Sequence, residues 1–150
     1  MIIDQTTTIQ APVEQVWAFV MDIPAVSRCV PGVEAFERVD DDTFEGALKV
    51  KVGPVTVHLE GRIVVAERDH AGRSSRIEIR AKERRIASSI SATTTLTLVP
   101  TSEGATEMHV HTEASILGKL GEFGQSVMRR KADQVMAEFA RNAAQEVSRR

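Results

Sequence analysis

The stretch "TFEGALKVKVGPVTVHLEGRIVV", residues 43–65, decides the fold of this chain. On both sides of Gly53-Pro54, apolar residues or glycine occupy every second position, and mostly polar or charged residues stand between them. Alternation with a period of two is typical of β-strands that bury one face. The Gly-Pro pair interrupts the alternation and favours a tight turn. The stretch therefore predicts two antiparallel strands, each with one apolar side.

The same alternation continues towards the C-terminus. It recurs around Ile77 and Ile79, through "IASSISATTTLTLV" (residues 86–99) and through "TEMHVHTEASI" (residues 106–116). After Gly118 the apolar residues follow a period of 3.6 instead, which predicts a long C-terminal helix. The stripe of this helix consists of Leu120, Val127, Met128, Val135, Met136, Phe139, Ala143 and Val147.

The N-terminal part adds one strand and two short helices. Residues 2–9 are rich in Thr and Ile and indicate a strand. Pro12 and Pro24 stand where helices begin, and Pro31-Gly32 stands where the second helix would end. We therefore predict a single α+β domain, residues 1–150, with a curved antiparallel sheet of about seven strands wrapped around the long helix. This arrangement resembles the helix-grip fold, whose domains commonly enclose an apolar cavity.

Composition excludes several classes of protein. The chain has 150 residues, 42% of them hydrophobic, with one cysteine and a net charge of −2. A net negative charge and few aromatic residues argue against binding of nucleic acid. We see no signal peptide and no apolar run of the ~20 residues that a membrane span needs. One cysteine cannot form an internal disulfide, so we expect a cytoplasmic protein.

The inner face of the predicted sheet carries no ionisable group among its assigned positions. Its polar candidates are Ser88, Thr94 and Thr112, with Thr6 or Thr7 on the first strand. Acid–base catalysis needs a positioned group whose pKa can approach the working pH. Such an interior suits holding an apolar molecule better than transforming one. We expect no catalytic residue and no cofactor.

The histidines and the cysteine are weaker candidates for a functional site. His109 and His111 form an H-x-H pair that could bind zinc if His58 lay on an adjacent strand, but solvated histidines are the commoner case. We predict no metal site. Cys29 falls near the end of a short helix, where the dipole does not favour a thiolate, so we expect a structural cysteine.

Three glycines, Gly118, Gly121 and Gly124, are spaced G-x-x-G-x-x-G before the long helix. A dinucleotide fingerprint needs G-x-G-x-x-G inside a βαβ unit, so this spacing does not indicate one. The glycines fit either close packing of the helix on the sheet or a flexible mouth.

The sequence resembles the family of the G subunit of carbon monoxide dehydrogenase, in the START-like (SRPBCC) superfamily, over nearly its whole length. The matching residues are Cys29-Val30-Pro31-Gly32 with Glu34, then 50–54 ("VKVGP"), then Gly61 and "GKLGEFGQ" (residues 118–125). The resemblance implies a hydrophobic tunnel and a role beside molybdenum-containing hydroxylases: maturation, recruitment to the membrane, or coupling through a bound quinone. Many members continue into a tail that reaches the membrane.

We therefore expect a non-catalytic binding protein for a quinone- or lipid-like molecule that serves a molybdenum hydroxylase complex. Pro31 and Gly32, with the three glycines above, would form a hinge or gate. The expected cavity residues are Trp17, Val30, Phe36, Leu48, Val50, Val57, Leu59, Ile79, Ser88, Ile90, Thr94, Leu96, Met108, Leu120, Phe123, Val127 and Met128.

Two alternatives stay open. A polyketide cyclase or dehydratase would need His109, His111 or Glu60 to point inward. An assembly factor would act through a surface patch such as Arg129, Arg130 and Lys131. The segment from Leu117 onwards is mildly basic, which leaves an acidic partner or peripheral contact with the inner face of a membrane open. The oligomeric state is not predicted.

Overall fold

The computed structural model describes all 150 residues, and its elements follow the predicted order. Seven strands, two short helices after the first strand and one long C-terminal helix are present. Their bounds are β1 (Ile2–Ile9), α1 (Val13–Met21), α2 (Ile23–Cys29), β2 (Val33–Arg38), β3 (Thr43–Val52), β4 (Val55–Asp69), β5 (Ser74–Glu83), β6 (Ser88–Pro100), β7 (Thr106–Leu117), a 3-10 helix (Lys119–Phe123) and α3 (Gln125–Arg149).

The seven strands form one antiparallel sheet in the order β1-β7-β6-β5-β4-β3-β2. From β2 to β7 each strand pairs with its neighbour in sequence, whereas β1 pairs with β7. The first strand therefore closes on the last, and β1 and β2 are the two edges. This confirms the predicted α+β, helix-grip architecture.

The register places the alternating apolar residues side by side. Leu48 lies opposite Leu59, and Ile63 lies opposite Ile79. We call the side of the sheet on which α3 lies the inner face, and the opposite side the outer face. Gln5, on the inner face of β1, donates a hydrogen bond of 3.1 Å to the carbonyl of Ala132 on α3. The predicted parity of the sheet is confirmed along β3 to β7.

Glycine shapes the two turns that the sequence singled out. Gly53, with φ +57°, and Pro54 form a two-residue loop between β3 and β4, and a positive φ is what such hairpin turns need. Gly32, with φ +89°, turns the chain from α2 into β2. A Cβ at Gly32 would lie 2.2 Å from the carbonyl oxygen of Lys49, so no other residue fits there without movement of the backbone.

The long helix begins later than its sequence pattern indicates. Leu120 belongs to a separate 3-10 helix, and α3 starts only at Gln125. Gly124, with φ +88°, breaks the helical path between them, so the prediction that Leu120 shares the helix is wrong. None of the helices combines the length and the apolar character needed to cross a bilayer.

Buried side chains form two separate cores. The helical core joins α1, α2 and the second half of α3 to β1, β6 and β7, and it includes Phe19, Met108, Phe139 and Val147. The hairpin core is smaller and consists of Val52, Val57 and Leu120, where the β3–β4 hairpin meets the 3-10 helix. No buried residue connects the two cores.

Candidate functional site

Between the two cores, the inner face of the sheet is only partly covered. Ile63, Ile77 and Ile79 point to this face, yet they are half-buried rather than buried. The backbone of α3 lies mainly against β1 and α2, away from the middle of the sheet. We call this strip, formed by Leu48, Ile63, Ile77, Ile79 and Thr94, the inner gap.

A small pocket opens at the end of the inner gap nearest α1 and α2. Its volume is about 90 Å³, and seven of its nine lining residues are hydrophobic. The lining residues are Val20, Met21, Ile23, Val26, Ser75, Ile77, Thr94, Leu96 and Phe139. The pocket reaches the surface, so the helical core has an entrance between the short helices and the sheet.

The structure places the predicted cavity residues in several groups. In or against the hairpin core are Val50, Val57, Leu59, Ile90, Leu120, Phe123, Val127 and Met128. In or against the helical core are Trp17, Val30, Leu96 and Met108. Leu48, Ile79 and Thr94 lie in the inner gap. Phe36 stands apart, with its ring stacked on Phe44 at 5.4 Å between centroids.

The hydroxyls of Ser88 and Thr94, two of the predicted polar groups, differ in whether they can still bind a ligand. The hydroxyl of Ser88 accepts a hydrogen bond of 2.9 Å from the backbone N–H of Leu120 and donates to the carbonyl of Ile86, so it secures the 3-10 helix. The hydroxyls of Thr94 and Thr112 lie 3.1 Å apart in the inner gap. Since one of these two hydroxyls donates to the other, one hydroxyl proton stays free for another acceptor.

Glu83 is an ionisable residue on the inner side of β5 that the sequence interpretation missed. It is 3% exposed and accepts hydrogen bonds from the backbone N–H groups of His58 and Arg85. These two bonds lower the pKa of its carboxyl below the ordinary value of 4.5. The β4–β5 ladder ends at Glu60 and Lys82, so the carboxylate joins the two strands where their backbones separate. The alternation Ile77, Ile79, Ala81, Glu83 could have revealed its side.

A second missed contact involves the only tryptophan. The indole N–H of Trp17, which is 7% exposed, donates a hydrogen bond of 3.1 Å to Nδ1 of His70. The two rings meet edge to face at 5.6 Å. The β4–β5 loop thereby covers α1. A single histidine in a loop carries no pattern that predicts such a contact.

The predicted gate residues occupy two joints beside the cores. Pro31 and Gly32 connect α2 to β2, as expected. Gly118 has φ +86°, and a Cβ there would lie 2.1 Å from the carbonyl oxygen of Ala87. Gly121 and Gly124 line an open depression of about 290 Å³ next to Met128 and Ile116. The glycines therefore serve close packing at Gly118 and leave open space at Gly124.

The histidines do not converge on one site. His58 lies on β4, whereas His109 and His111 lie on the outer face of β7, which is not adjacent to β4. His111 pairs with Asp4 across β1 and β7 at 2.5 Å, and this hydrogen bond raises the pKa of the imidazole above its ordinary value of 6.5. The structure contains no group of three or more His, Cys, Asp or Glu that could hold a metal ion.

Cys29 is 4% exposed in the helical core, as expected for a structural cysteine. Burial is the main cause that raises the pKa of its thiol, with the nearby carboxylate of Glu146 adding to the effect. The side chain of Asn142 on α3 donates a hydrogen bond of 3.0 Å to the carbonyl of Cys29. The segment that opens the α2–β2 turn is thus tied to the C-terminal helix.

The surface patch proposed for an assembly factor is not a uniform charged face. Arg129 donates a hydrogen bond of 2.6 Å to the carbonyl of Ile2 on β1, so part of its binding capacity is used. Arg130 is exposed, and Lys131 is half-buried.

Comparison with known proteins identifies both family and fold. The family model for the G subunit of carbon monoxide dehydrogenase (CoxG) matches residues 6–148. No curated protein gives a significant match. Among solved structures, a conserved protein from Geobacillus kaustophilus superposes with a TM-score of 0.89 at 18% identity, covering 99% of this chain and 96% of that one.

Two further solved structures share the fold at lower similarity. A START superfamily protein from Mycobacterium smegmatis has a TM-score of 0.69 and 11% identity, covering 99% of this chain and 97% of that one. The Zhui aromatase/cyclase from Streptomyces sp. R1128 has a TM-score of 0.68 and 16% identity, covering 100% and 94%. Identities this low establish the START-like fold alone. The family match spans nearly the whole sequence, and the chain therefore belongs to the CoxG family.

Proposed function

We propose that this chain is a non-catalytic carrier that binds a quinone- or lipid-like molecule in the inner gap and serves a molybdenum hydroxylase such as carbon monoxide dehydrogenase. The observation that carries the proposal is the half-buried apolar strip between two separate cores. A chain that only needed stability would gain from covering this strip. Membership of the CoxG family supports the link to the hydroxylase.

An apolar ligand would gain affinity from the surface that it covers. Removing about 200 Å² of apolar surface from water is worth about 5 kcal/mol at roughly 25 cal/mol per Å². The free proton of the Thr94–Thr112 pair supplies one hydrogen bond to a ligand carbonyl or ester. Such a site is apolar with one polar anchor, which is the usual composition of a small-molecule pocket.

Binding requires the site to open. The enclosed part measures about 90 Å³, whereas pockets for drug-sized ligands measure roughly 300–1,000 Å³. A Cβ at Gly124 would meet nothing within 4 Å, so the joint between the 3-10 helix and α3 is loosely packed on that side. We expect a ligand to enter near the predicted gate residues and to widen the space that already lies between α3 and the middle of the sheet.

The fold is shared with an aromatase/cyclase, so an enzyme is the alternative. His109, His111 and Glu60, the residues that such an enzyme would need inside, all lie on the outer face. Glu83 is on the inner side, but both of its oxygens accept backbone hydrogen bonds. The arrangement therefore favours binding over acid–base chemistry.

A pair of substitutions on β5 tests the location of the site. Ile79→Phe adds bulk to the inner gap, whereas Glu78→Phe adds the same ring to the exposed outer side one residue away. With a short-chain ubiquinone as the ligand and calorimetry as the measurement, we expect about tenfold weaker binding for Ile79→Phe and little change for Glu78→Phe. Equal affinity of both variants and the parent chain would place the ligand elsewhere.

A further inference from the structure

A large depression lies on the outer face of the sheet, opposite the inner gap. It has a volume of about 900 Å³ and extends from β2 to β7. Two neighbouring cross-strand rows form it: Glu37, Glu45, Arg62, Arg80, Ser91 and Ser115 in one, and Ala35, Ala47, Glu60, Lys82, Ser89 and Leu117 in the other. Six strands at their usual spacing give it a length of about 24 Å. We call it the outer groove.

The floor of the outer groove is low at the β6–β7 end because its side chains there are small. Ser89, Ser91 and Ser115 each present only a hydroxyl. Leu117, beside them, is 65% exposed, which makes it the most exposed of the large hydrophobic residues. This end therefore offers room for a polypeptide backbone, hydroxyls for its polar groups and one apolar contact.

The wall next to this floor is a row of cations without partners. Arg80, Lys82 and Arg84 are exposed, stand at alternate positions of β5 and the turn after it, and form no ion pair. Arg62, the fourth cation of the outer groove, is already paired with Glu45 at 2.5 Å. Arg80 lies directly opposite Arg62, whose charge Glu45 already balances, and Lys82 lies directly opposite Glu60 without an ion pair between them.

We propose that the outer groove docks an extended acidic segment of a partner protein. Residues at alternate positions of a strand are roughly 6.7 Å apart. Carboxylates at alternate positions of an extended segment repeat at the same distance, so two of them match Arg80 and Lys82 on β5, and a third faces Arg84 in the turn that follows. The segment would run parallel to β5 and cross the outer groove over Ser89 and Ser91 of β6, with an apolar side chain directed towards Leu117 on β7. The carboxylates of Glu37 and Glu60 stand on the other side of the row and restrict the segment to the β5–β7 half.

This site is independent of the inner gap and of any ligand there. The two lie on opposite faces of the same strands, so a protein partner and an apolar ligand can bind together. Such a geometry would let the chain be held by a partner while its inner face stays accessible.

The test uses two fluorescein-labelled peptides of identical composition. One has three glutamates at alternate positions separated by serines and ends in leucine, and the other has the glutamates consecutive. Fluorescence anisotropy with the full chain at low salt should show several-fold tighter binding of the alternating peptide. Equal affinity for both peptides would overturn the proposal, because the spacing match would then have no effect.

Two triple variants separate the outer groove from general charge. Arg80→Ser, Lys82→Ser and Arg84→Ser together should weaken binding of the alternating peptide about tenfold. Lys49→Ser, Lys51→Ser and Lys119→Ser together remove the same charge from exposed positions outside the outer groove, and should change the affinity less than about twofold. Equal losses in both variants would overturn the proposal, as would binding of the parent chain to phosphatidylglycerol vesicles but to neither peptide.

A charge exchange covers the case in which the triple variant fails to fold. Lys82→Glu alone should reject the alternating peptide and accept a version with lysine as its central charged residue. If Lys82→Glu binds the lysine-containing peptide no better than it binds the alternating peptide, the proposed alignment along β5 is wrong.

Discussion

Glu83 joins two parts of the sheet through a single carboxylate. Its oxygens accept the backbone N–H of His58 on β4 and that of Arg85 in the β5–β6 turn. A buried N–H group without an acceptor costs about 1–3 kcal/mol, so this carboxylate stabilises the place where β4 and β5 separate. The side of Glu83 follows from the alternation along β5, but its partners do not, because they depend on where the ladder ends.

Glu83→Ala is predicted to lower the free energy of unfolding by about 2 kcal/mol, because it leaves two backbone N–H groups without acceptors. Glu83→Gln keeps one acceptor and should cost about half as much. Urea unfolding at neutral pH measures both. Stability of the alanine variant equal to that of the parent chain would show that water replaces the carboxylate.

The same carboxyl predicts a dependence on acid. Its pKa is lower in the folded state than the ordinary value of 4.5, so its stabilising effect is fully present above that value. The effect is lost as the pH falls through the lowered folded-state pKa. The stability difference between the parent chain and Glu83→Gln should therefore shrink below pH 4.5.

At the scale of elements, the closure of β1 on β7 combines a backbone ladder with an ion pair. Asp4 and His111 are directly opposite each other in this ladder, and Glu113 lies 3.6 Å from the second ring nitrogen. Because the pKa of His111 is raised in the folded state, the pair stabilises the protein below pH 6.5. That contribution is lost as the pH rises through the raised value.

Asp4→Asn is therefore predicted to lower the melting temperature at about pH 5.5 and to have little effect at about pH 9. Asp41→Asn is a suitable control, since Asp41 is exposed in the loop between β2 and β3. Thermal unfolding followed by circular dichroism at both pH values measures the difference. An effect of Asp4→Asn that does not vary with pH would exclude the ion pair as its cause.

The joint before α3 offers a comparison of two glycines. Gly118 and Gly124 have nearly equal φ angles, +86° and +88°, in a region that other residues rarely adopt. A Cβ at Gly124 meets nothing within 4 Å, whereas one at Gly118 would overlap the carbonyl of Ala87. Gly124→Ala should therefore cost about 1–3 kcal/mol of stability from backbone strain, and Gly118→Ala clearly more. Equal costs in urea unfolding would show that the Gly118 contact relaxes freely.

The whole molecule could be predicted well from its periodicities. Alternation along 43–65 fixed the sides of β3 and β4, and the change to a period of 3.6 located the C-terminal helix. The break at Gly124 could not be predicted, because the apolar stripe continues through it from Leu120. The division into two cores was equally hidden, since it depends on how far α3 lies from the middle of the sheet rather than on which residues face inward.

Prediction of the candidate site from the sequence is limited in the same way. Apolar residues at positions such as Ile79 and Leu59 were assignable to the inner face, but periodicity does not distinguish a filled core from an open strip. The structure divides them, with Leu59 against the hairpin core and Ile79 in the inner gap. The outer groove was not predicted, because it arises from two rows across six strands that only the register brings together.

Native mass spectrometry of the protein purified from its own host tests the carrier function most directly. Solvent extraction of the same sample then identifies any released molecule. We predict a quinone or lipid bound in near-stoichiometric amount. A mass equal to that of the bare chain, with no uptake of added short-chain ubiquinone or fatty acid, would contradict the carrier function.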